Sequence, residues 1–295
     1  MKSKIFFHAM GGLGNQMFQY AFAKSLAINN EAKLFVDNTS GFLLDYQYKR
    51  KYELGNYDLH VNKASNLEKI IFFFYSTKER FFNSNKKRIN NLVLLNEINH
   101  KFFNRKIAEY KIKQNQKIWI KGYWQSEKYF KYNESQIFTD FKIPRSNKRN
   151  FLKMDERIKN SNSVSIGVRM YEEVPGNDKS FVGGVQSLDF YIKAISHIKS
   201  KISNPVFFIF STKNINFLKE IIKDENYYLI THENDYEGTM DRLWLMSKCK
   251  NHIISNSSFY WWAAWLSEFK NKNSIIIASN NFANSDTIPD RWEKL

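Results

Sequence analysis

Residues suited to holding an anion open this chain: Gly11-Gly12-Leu13-Gly14-Asn15-Gln16. A short strand-like run, Lys4 to Ala9, precedes them, and Met17, Tyr20, Ala21, Lys24 and Leu26 follow at near-helical spacing. Strand, glycine turn and helix leave backbone N–H groups free at a helix N-terminus, where they can face a phosphate or a sugar oxygen. Glycine there tolerates positive φ and lets a ligand come close to the main chain. The spacing fits neither G-x-G-x-x-G nor G-x-x-x-x-G-K-[ST], so a tight turn without a ligand explains the glycines equally well. Asn15 and Gln16 add the chemistry. Two neutral amides at the first turn bond sugar hydroxyls or phosphate oxygens without adding charge.

Two later clusters have the same character. Arg169 follows the strand-like run Ser163 to Val168, at the edge where open α/β sheets bind ligands. Its planar fork suits a diphosphate, and pairing with a neighbouring carboxylate is the structural alternative. Glu172 and Glu173 are either a base and hydroxyl acceptor or plain loop carboxylates. The third cluster is Asn256-Ser257-Ser258-Phe259, after the strand His252 to Ser255. Its side chains can cap the next helix, or its N–H groups can hold a phosphate. Trp261, Trp262 and Trp265 then anchor that helix in a core. Before it, Asp241 to Cys249 reads as a helix with Leu243, Leu245 and Met246 inward.

The elements positioning these residues form two halves. The first starts β-α-β, with Lys33 to Asp37 as its second strand. Residues 60 to 115 read as largely helical and polar, and Lys117 to Trp124 alternates like a strand. A polar segment, Pro144 to Asn150, reads as the linker between domains 1–147 and 148–295. Beyond it strands (163–168, 206–211, 227–231, 252–255, 274–278) alternate with helices (188–199, 214–223, 241–249 and one from Phe259). That pattern predicts a doubly wound sheet, and two such α/β domains place a ligand in a central cleft between them.

Bulk properties exclude several classes. The 295 residues are 43% hydrophobic and 17% aromatic, so the chain packs rather than staying disordered. The run Ile70 to Tyr75 is too short to cross a bilayer, and no signal peptide is expected at the start. One cysteine excludes an internal disulfide and fits a reducing, cytoplasmic setting. Six scattered histidines and the lack of any Asp-x-Asp pair give no metal site. The net charge of +16 is spread along the chain without a nucleic-acid module signature, so no nucleic-acid partner is expected. Basic residues between 78 and 113 interleave with phenylalanines. That mixture suits an anionic membrane surface or a phosphorylated ligand, and equally a solvated lysine-rich face.

Gly11 to Tyr20 resembles the opening motif of the α-1,2-fucosyltransferases of glycosyltransferase family 11. The resemblance continues in Gly122-Tyr123-Trp124-Gln125-Ser126-Glu127, in Asp241 to Lys250, and most closely in Ile254 to Leu266. It implies a GT-B-like fold with a GDP-sugar donor in the C-terminal domain and no metal or other cofactor. The implied reaction is an inverting transfer of L-fucose from GDP-β-L-fucose to a galactoside-type hydroxyl, in α-1,2 linkage. The acceptor is then a glycan or lipid-linked oligosaccharide of surface polysaccharide or lipopolysaccharide synthesis, met at the cytoplasmic face of a membrane.

Arg169 aligns with the first arginine of the family's His-x-Arg-Arg-Gly-Asp-Tyr motif. Gly167 stands at the histidine, Met170 at the second arginine, and Glu172 best matches the aspartate. Phe210-Ser211 matches the start of Phe-Ser-Asp-Asp, but Thr212-Lys213 follows. These departures favour, as alternatives, another GDP-linked deoxysugar or heptose, or a carbohydrate-binding protein without catalysis. The expected catalytic residues are therefore Arg169, Asn15 and Glu172. The expected donor-binding residues are Gly12, Gly14, Gln16, Arg169, Ser211, Asp241, Asn256, Ser257, Ser258 and Phe259.

Overall fold

The computed structural model describes residues 2–46, 48–78, 86–89, 91–97, 101–169, 185–212, 222 and 226–295. The chain divides into two compact units, Met1–Lys142 and Ile143–Leu295. The boundary precedes the expected 147/148 because Arg145 already belongs to the second unit, its guanidinium bonding the Asp155 carboxylate at 3.1 Å.

Unit 1 runs β1 (Lys4–His8), α1 (Leu13–Asn29), β2 (Lys33–Asp37), β3 (Asn62–Lys63), α2 (Asn66–Lys78), β4 (Lys86–Ile89), β5 (Leu92–Asn96), α3 (Arg105–Ala108), β6 (Lys117–Lys121) and α4 (Glu134–Asp140). Its sheet has the order β3-β2-β1-β6-β5-β4. Every pairing is parallel except that of β4 with β5. β1 lies at the centre, buried on both faces, which is why Ile5-Phe6-Phe7 is continuously apolar. Phe6 stacks on Phe35 and Trp119, and Trp119 on Phe72 of α2. On the opposite face Phe7 meets Tyr20 of α1 edge-on.

The described part of residues 60–115 is less helical than its composition predicts. Leu92 to Leu95 is an apolar run too short for periodicity to separate strand from helix. Pairing with β6 decides the matter and buries Val93, Leu94 and Leu95.

Unit 2 runs α5 (Arg149–Lys159), β7 (Asn162–Gly167), α6 (Leu188–Lys201), β8 (Pro205–Phe210), β9 (Tyr227–Ile230), α7 (Thr239–Lys248), β10 (Asn251–Ile254), α8 (Ser258–Lys270), β11 (Ile276–Ala278) and β12 (Glu293–Lys294). All pairings in its sheet, β12-β11-β10-β7-β8-β9, are parallel. The helix expected at 214–223 lies outside the described residues, apart from residue 222.

Helix α5 begins inside the expected linker and buries Phe151, Met154, Asp155 and Ile158. Asp155 is enclosed, which alone would raise its pKa. Lys159 (2.7 Å), the Trp244 indole (3.2 Å) and Arg145 outweigh that burial and hold the carboxyl below its ordinary value. α8 is buried from Tyr260 to Glu268, and the Trp261 indole donates to Thr287 O at 2.8 Å. The tryptophans are core, as their spacing predicts. Among the described residues no helix is long and apolar enough to cross a membrane.

Candidate active site

The glycine loop of unit 1 joins β1 to α1. Gly11 has φ +73°, and a Cβ there would meet Asn15 Nδ2 at 2.8 Å, so only glycine fits without displacing that amide. Gly12 N-caps α1 with no side-chain cap and no acidic residue in the first turn, which leaves the helix end suited to an anion. A Cβ on Gly12 would lie 3.6 Å from Arg50 Nη1, so the Arg50 guanidinium rests against the loop. Nothing in the local pattern marks Arg50.

The two amides have different fates. Gln16 is fully buried; its Nε2 donates to Gly11 O (2.8 Å) and Lys51 O (2.9 Å), and its Oε1 accepts from Glu53 N (2.8 Å). Expected as a donor ligand, Gln16 instead clamps the 51–53 segment to the glycine loop. Both amide hydrogens and the carbonyl are occupied. Gly14 is likewise buried inside the first turn of α1. Asn15 is half-buried, and its Oδ1 accepts from Gln125 Nε2 at 2.8 Å.

Glu97 sets the segment that carries Gln125. One carboxylate oxygen accepts from the backbone N–H of Tyr123 (2.7 Å) and Trp124 (3.0 Å). A cavity of about 460 Å3 opens beside it, lined by Glu97, Phe102, Phe103, Trp124 and Tyr129 among others. Sequence reasoning missed Gln125 as a site residue, although its segment was part of the family resemblance.

At the carboxyl ends of β1 and β2 a third group forms. His8 Nδ1 lies 3.1 Å from Ser40 Oγ and 3.5 Å from Asp37 Oδ2. Ser40 Oγ also bonds Asp37 Oδ2 directly, while Asp37 Oδ1 accepts from the N–H groups of Thr39 (3.1 Å) and Ser40 (3.0 Å). Burial would raise the Asp37 carboxyl, but the hydrogen bonds from His8 and Ser40 prevail and hold it well below the carboxylate range.

In unit 2, β7 delivers Arg169 to the turn between β10 and α8, where Nη1 donates to Asn256 O at 3.1 Å. Ser257 N-caps α8 without a side-chain bond, and no acidic residue occupies the first turn. The N–H groups of Ser258 and Phe259 therefore stand at a helix end with favourable polarity for a phosphate. Ser255 beneath them is fully buried, and its Oγ has no partner among the described residues. Arg242 of α7 lies 6.0 Å over the Phe259 ring. It brings a second guanidinium to the N-terminal turn of α8.

Arg169, Asn256, Ser257, Ser258 and Phe259 are thus brought together. Asp241 accepts from the exposed Lys148 Nζ at 3.0 Å. Ser211 is buried just past β8. Glu172 and Lys213 lie outside the described residues.

Gly167 accounts for one departure from the family motif. A Cβ there would sit 2.5 Å from two ring atoms of Tyr260. The Tyr260 hydroxyl lies 2.9 Å from Val168 O and 3.1 Å from Phe210 O, tying α8 to the ends of β7 and β8. A histidine at this position would displace that ring.

Two α/β units, each with candidate ligand groups at strand carboxyl ends, give the chain a GT-B-like architecture. The profile of Glycosyl transferase family 11 matches residues 4–293, and the chain belongs to this family of glycosyltransferases. It is 31% identical to the alpha-1,2-colitosyltransferase of Escherichia coli over 301 residues, covering 97% of this chain and 96% of that one. It is 26% identical to the O-antigen biosynthesis glycosyltransferase WbnK of Escherichia coli over 309 residues, covering 97% and 98%. Among solved structures, a variant of Arabidopsis thaliana FUT1 in complex with GDP shares the fold at TM-score 0.53 and 12% identity, covering 94% of this chain and 70% of that one.

Proposed function

We propose that this glycosyltransferase moves L-fucose from GDP-β-L-fucose to a galactoside-type hydroxyl of a surface glycan, forming an α-1,2 linkage with inversion. The observation that carries the reading is the pairing of Arg169 with the uncapped N-terminus of α8. Negative charge grows on the GDP leaving group as the glycosidic bond breaks. A fixed guanidinium and oriented N–H donors stabilise that charge more in the transition state than in the bound donor. Arg242 adds a second positive group, and these donors take the part a metal ion plays in other transferases.

In unit 1, Asn15 and Gln125 present paired amides suited to sugar hydroxyls, and the cavity beside Trp124 has aromatic walls suited to a saccharide face. Its volume, about 460 Å3, falls within the range of roughly 300–1,000 Å3 common for small-molecule sites.

A second donor is favoured by the relative named as an α-1,2-colitosyltransferase. Colitose is L-fucose without its 3-hydroxyl, so a site holding one accommodates the other unless a polar group demands that hydroxyl. The test is transfer by the purified protein from GDP-fucose, GDP-colitose and GDP-mannose to β-galactosides, with linkage read by mass spectrometry and NMR. Higher kcat/KM with GDP-fucose supports the first reading. Preference for GDP-colitose replaces it with the second, and donor binding without hydrolysis or transfer defeats both.

We also place the enzyme at an anionic membrane surface facing the cytoplasm, where a lipid-linked acceptor would lie. α2 supports this, exposing Leu67, Ile70, Ile71, Phe73 and Phe74 beside a basic stretch.

A further inference from the structure

We propose that His8 is the general base that takes the proton from the acceptor hydroxyl, oriented by Asp37 and Ser40. This rests on the transfer reaction above. An inverting displacement needs the attacking hydroxyl to lose its proton as its oxygen bonds the anomeric carbon. The bond from that carbon to the β-phosphate oxygen breaks, its electron pair leaves with GDP, and the proton passes to His8 Nε2 and then to solvent.

The position fits the task. His8 ends β1, at the carboxyl edge of the sheet and three residues before Gly11. Open α/β sheets bind ligands at that edge. Nδ1 is occupied by Ser40 at 3.1 Å and Asp37 at 3.5 Å, which directs the other nitrogen, Nε2, away from the pair. The side chain keeps 10% of its surface exposed, and Nε2 has no partner among the described residues. A buried carboxylate on one nitrogen fixes the tautomer and stabilises the imidazolium that forms when the other takes a proton.

Among the described residues, few charged groups face this ring. Asp37 faces the ring from β2, Ser40 from the following turn, and Phe72 from α2 at 5.2 Å between ring centroids. Lys69 of α2 reaches Asn38 at 3.3 Å, beside this group. Asp37 already accepts from Thr39 and Ser40, so the carboxylate is held in place whether or not the imidazole is charged.

The experiment compares wild type, His8→Gln and Asp37→Asn, using whichever GDP-sugar the wild type turns over best. We expect His8→Gln to lose about a hundredfold or more in transfer kcat, the low end of general-base contributions. GDP affinity and melting temperature should stay near wild type, and the acid limb of the kcat/KM profile should vanish. Asp37→Asn should keep an acid limb while lowering kcat by less than His8→Gln. Transfer by His8→Gln within about threefold of wild type, with the acid limb intact, would overturn the assignment. So would a loss of activity matched by a loss of GDP affinity. A failure of the fucose reading shows separately, as a different donor preferred by the wild type.

Discussion

Replacing Gly167 with alanine should cost both stability and nucleotide affinity, and the size of the effect follows from one contact. Gly167 needs no positive φ, so the change is purely steric. The new methyl would lie 2.5 Å from Cγ and Cδ2 of Tyr260, the root of a rigid ring with no flexible end to swing away. Reaching ordinary carbon contact requires a shift of about 1 Å. That shift takes the hydroxyl out of reach of Val168 O, now 2.9 Å away. Phe210 O keeps its bond from Val168 N, so one carbonyl is orphaned rather than two.

Overpacking costs about 1–3 kcal/mol and an unsatisfied buried carbonyl a further ~1–3, for a total of about 4 kcal/mol. For a unit of this size that lowers Tm by about 8–16 °C. Tyr260 stands in the first turn of α8, so GDP affinity should fall with it. Thermal unfolding and GDP titration on one preparation measure both. Adding Tyr260→Ala should cost less in the Gly167→Ala background than in wild type, because it relieves the clash there and the bond to Val168 O is already lost. Gly167→Ala with unaltered Tm and GDP affinity would refute the packing argument.

Arg169→Ala should lower transfer about a hundredfold, the loss seen on removing one oxyanion donor, while Arg169→Lys stays badly impaired for want of the fork. A folded Arg169→Ala enzyme with near-normal turnover would defeat the leaving-group role. The Asp37 carboxyl sits below its unfolded value, about 3.9, so its stabilisation is full above that pH and drains away as pH falls further. Asp37→Asn should therefore lower Tm at pH 7, with the gap closing in acid; a gap constant down to pH ~3 argues otherwise. Activity should persist in excess EDTA, and abolition with rescue by manganese would assign the diphosphate to a metal. Vesicles of anionic lipid should carry wild type on flotation but not Ile70→Glu/Phe74→Glu, and equal flotation would remove α2 from the membrane.

What was legible in the sequence was local. The β1–glycine loop–α1 unit, the strand at Lys33–Asp37 and most of the alternating elements of unit 2 follow from patterns spanning a few residues, and they appear within a residue or two. The cluster at Arg169, Asn256 and Ser257 was also legible, because strand carboxyl ends and helix starts can be read from neighbouring residues. The missed elements share a cause. β5 is a short apolar run that only its partner β6 defines, and α5 is so polar that it reads as linker until Phe151, Met154 and Ile158 find a core.

What the sequence leaves illegible is any side-chain partner that lies far along the chain. Gln16 looks like a ligand-binding amide until Lys51 and Glu53 occupy it, and Asn15 gains its meaning from Gln125, 110 positions away. Gly167 shows the same physics from the other side. As a motif position it reads as a lost histidine. In the fold it is the space that Tyr260 fills, and the Tyr260 hydroxyl reaches Val168 O across 92 positions to hold α8 against β7. The missing side chain and the inserted ring are therefore one packing decision. The helix end beside Arg169 is positioned by that ring, so a change at this motif position alters how the groups proposed to face a phosphate are held without removing them.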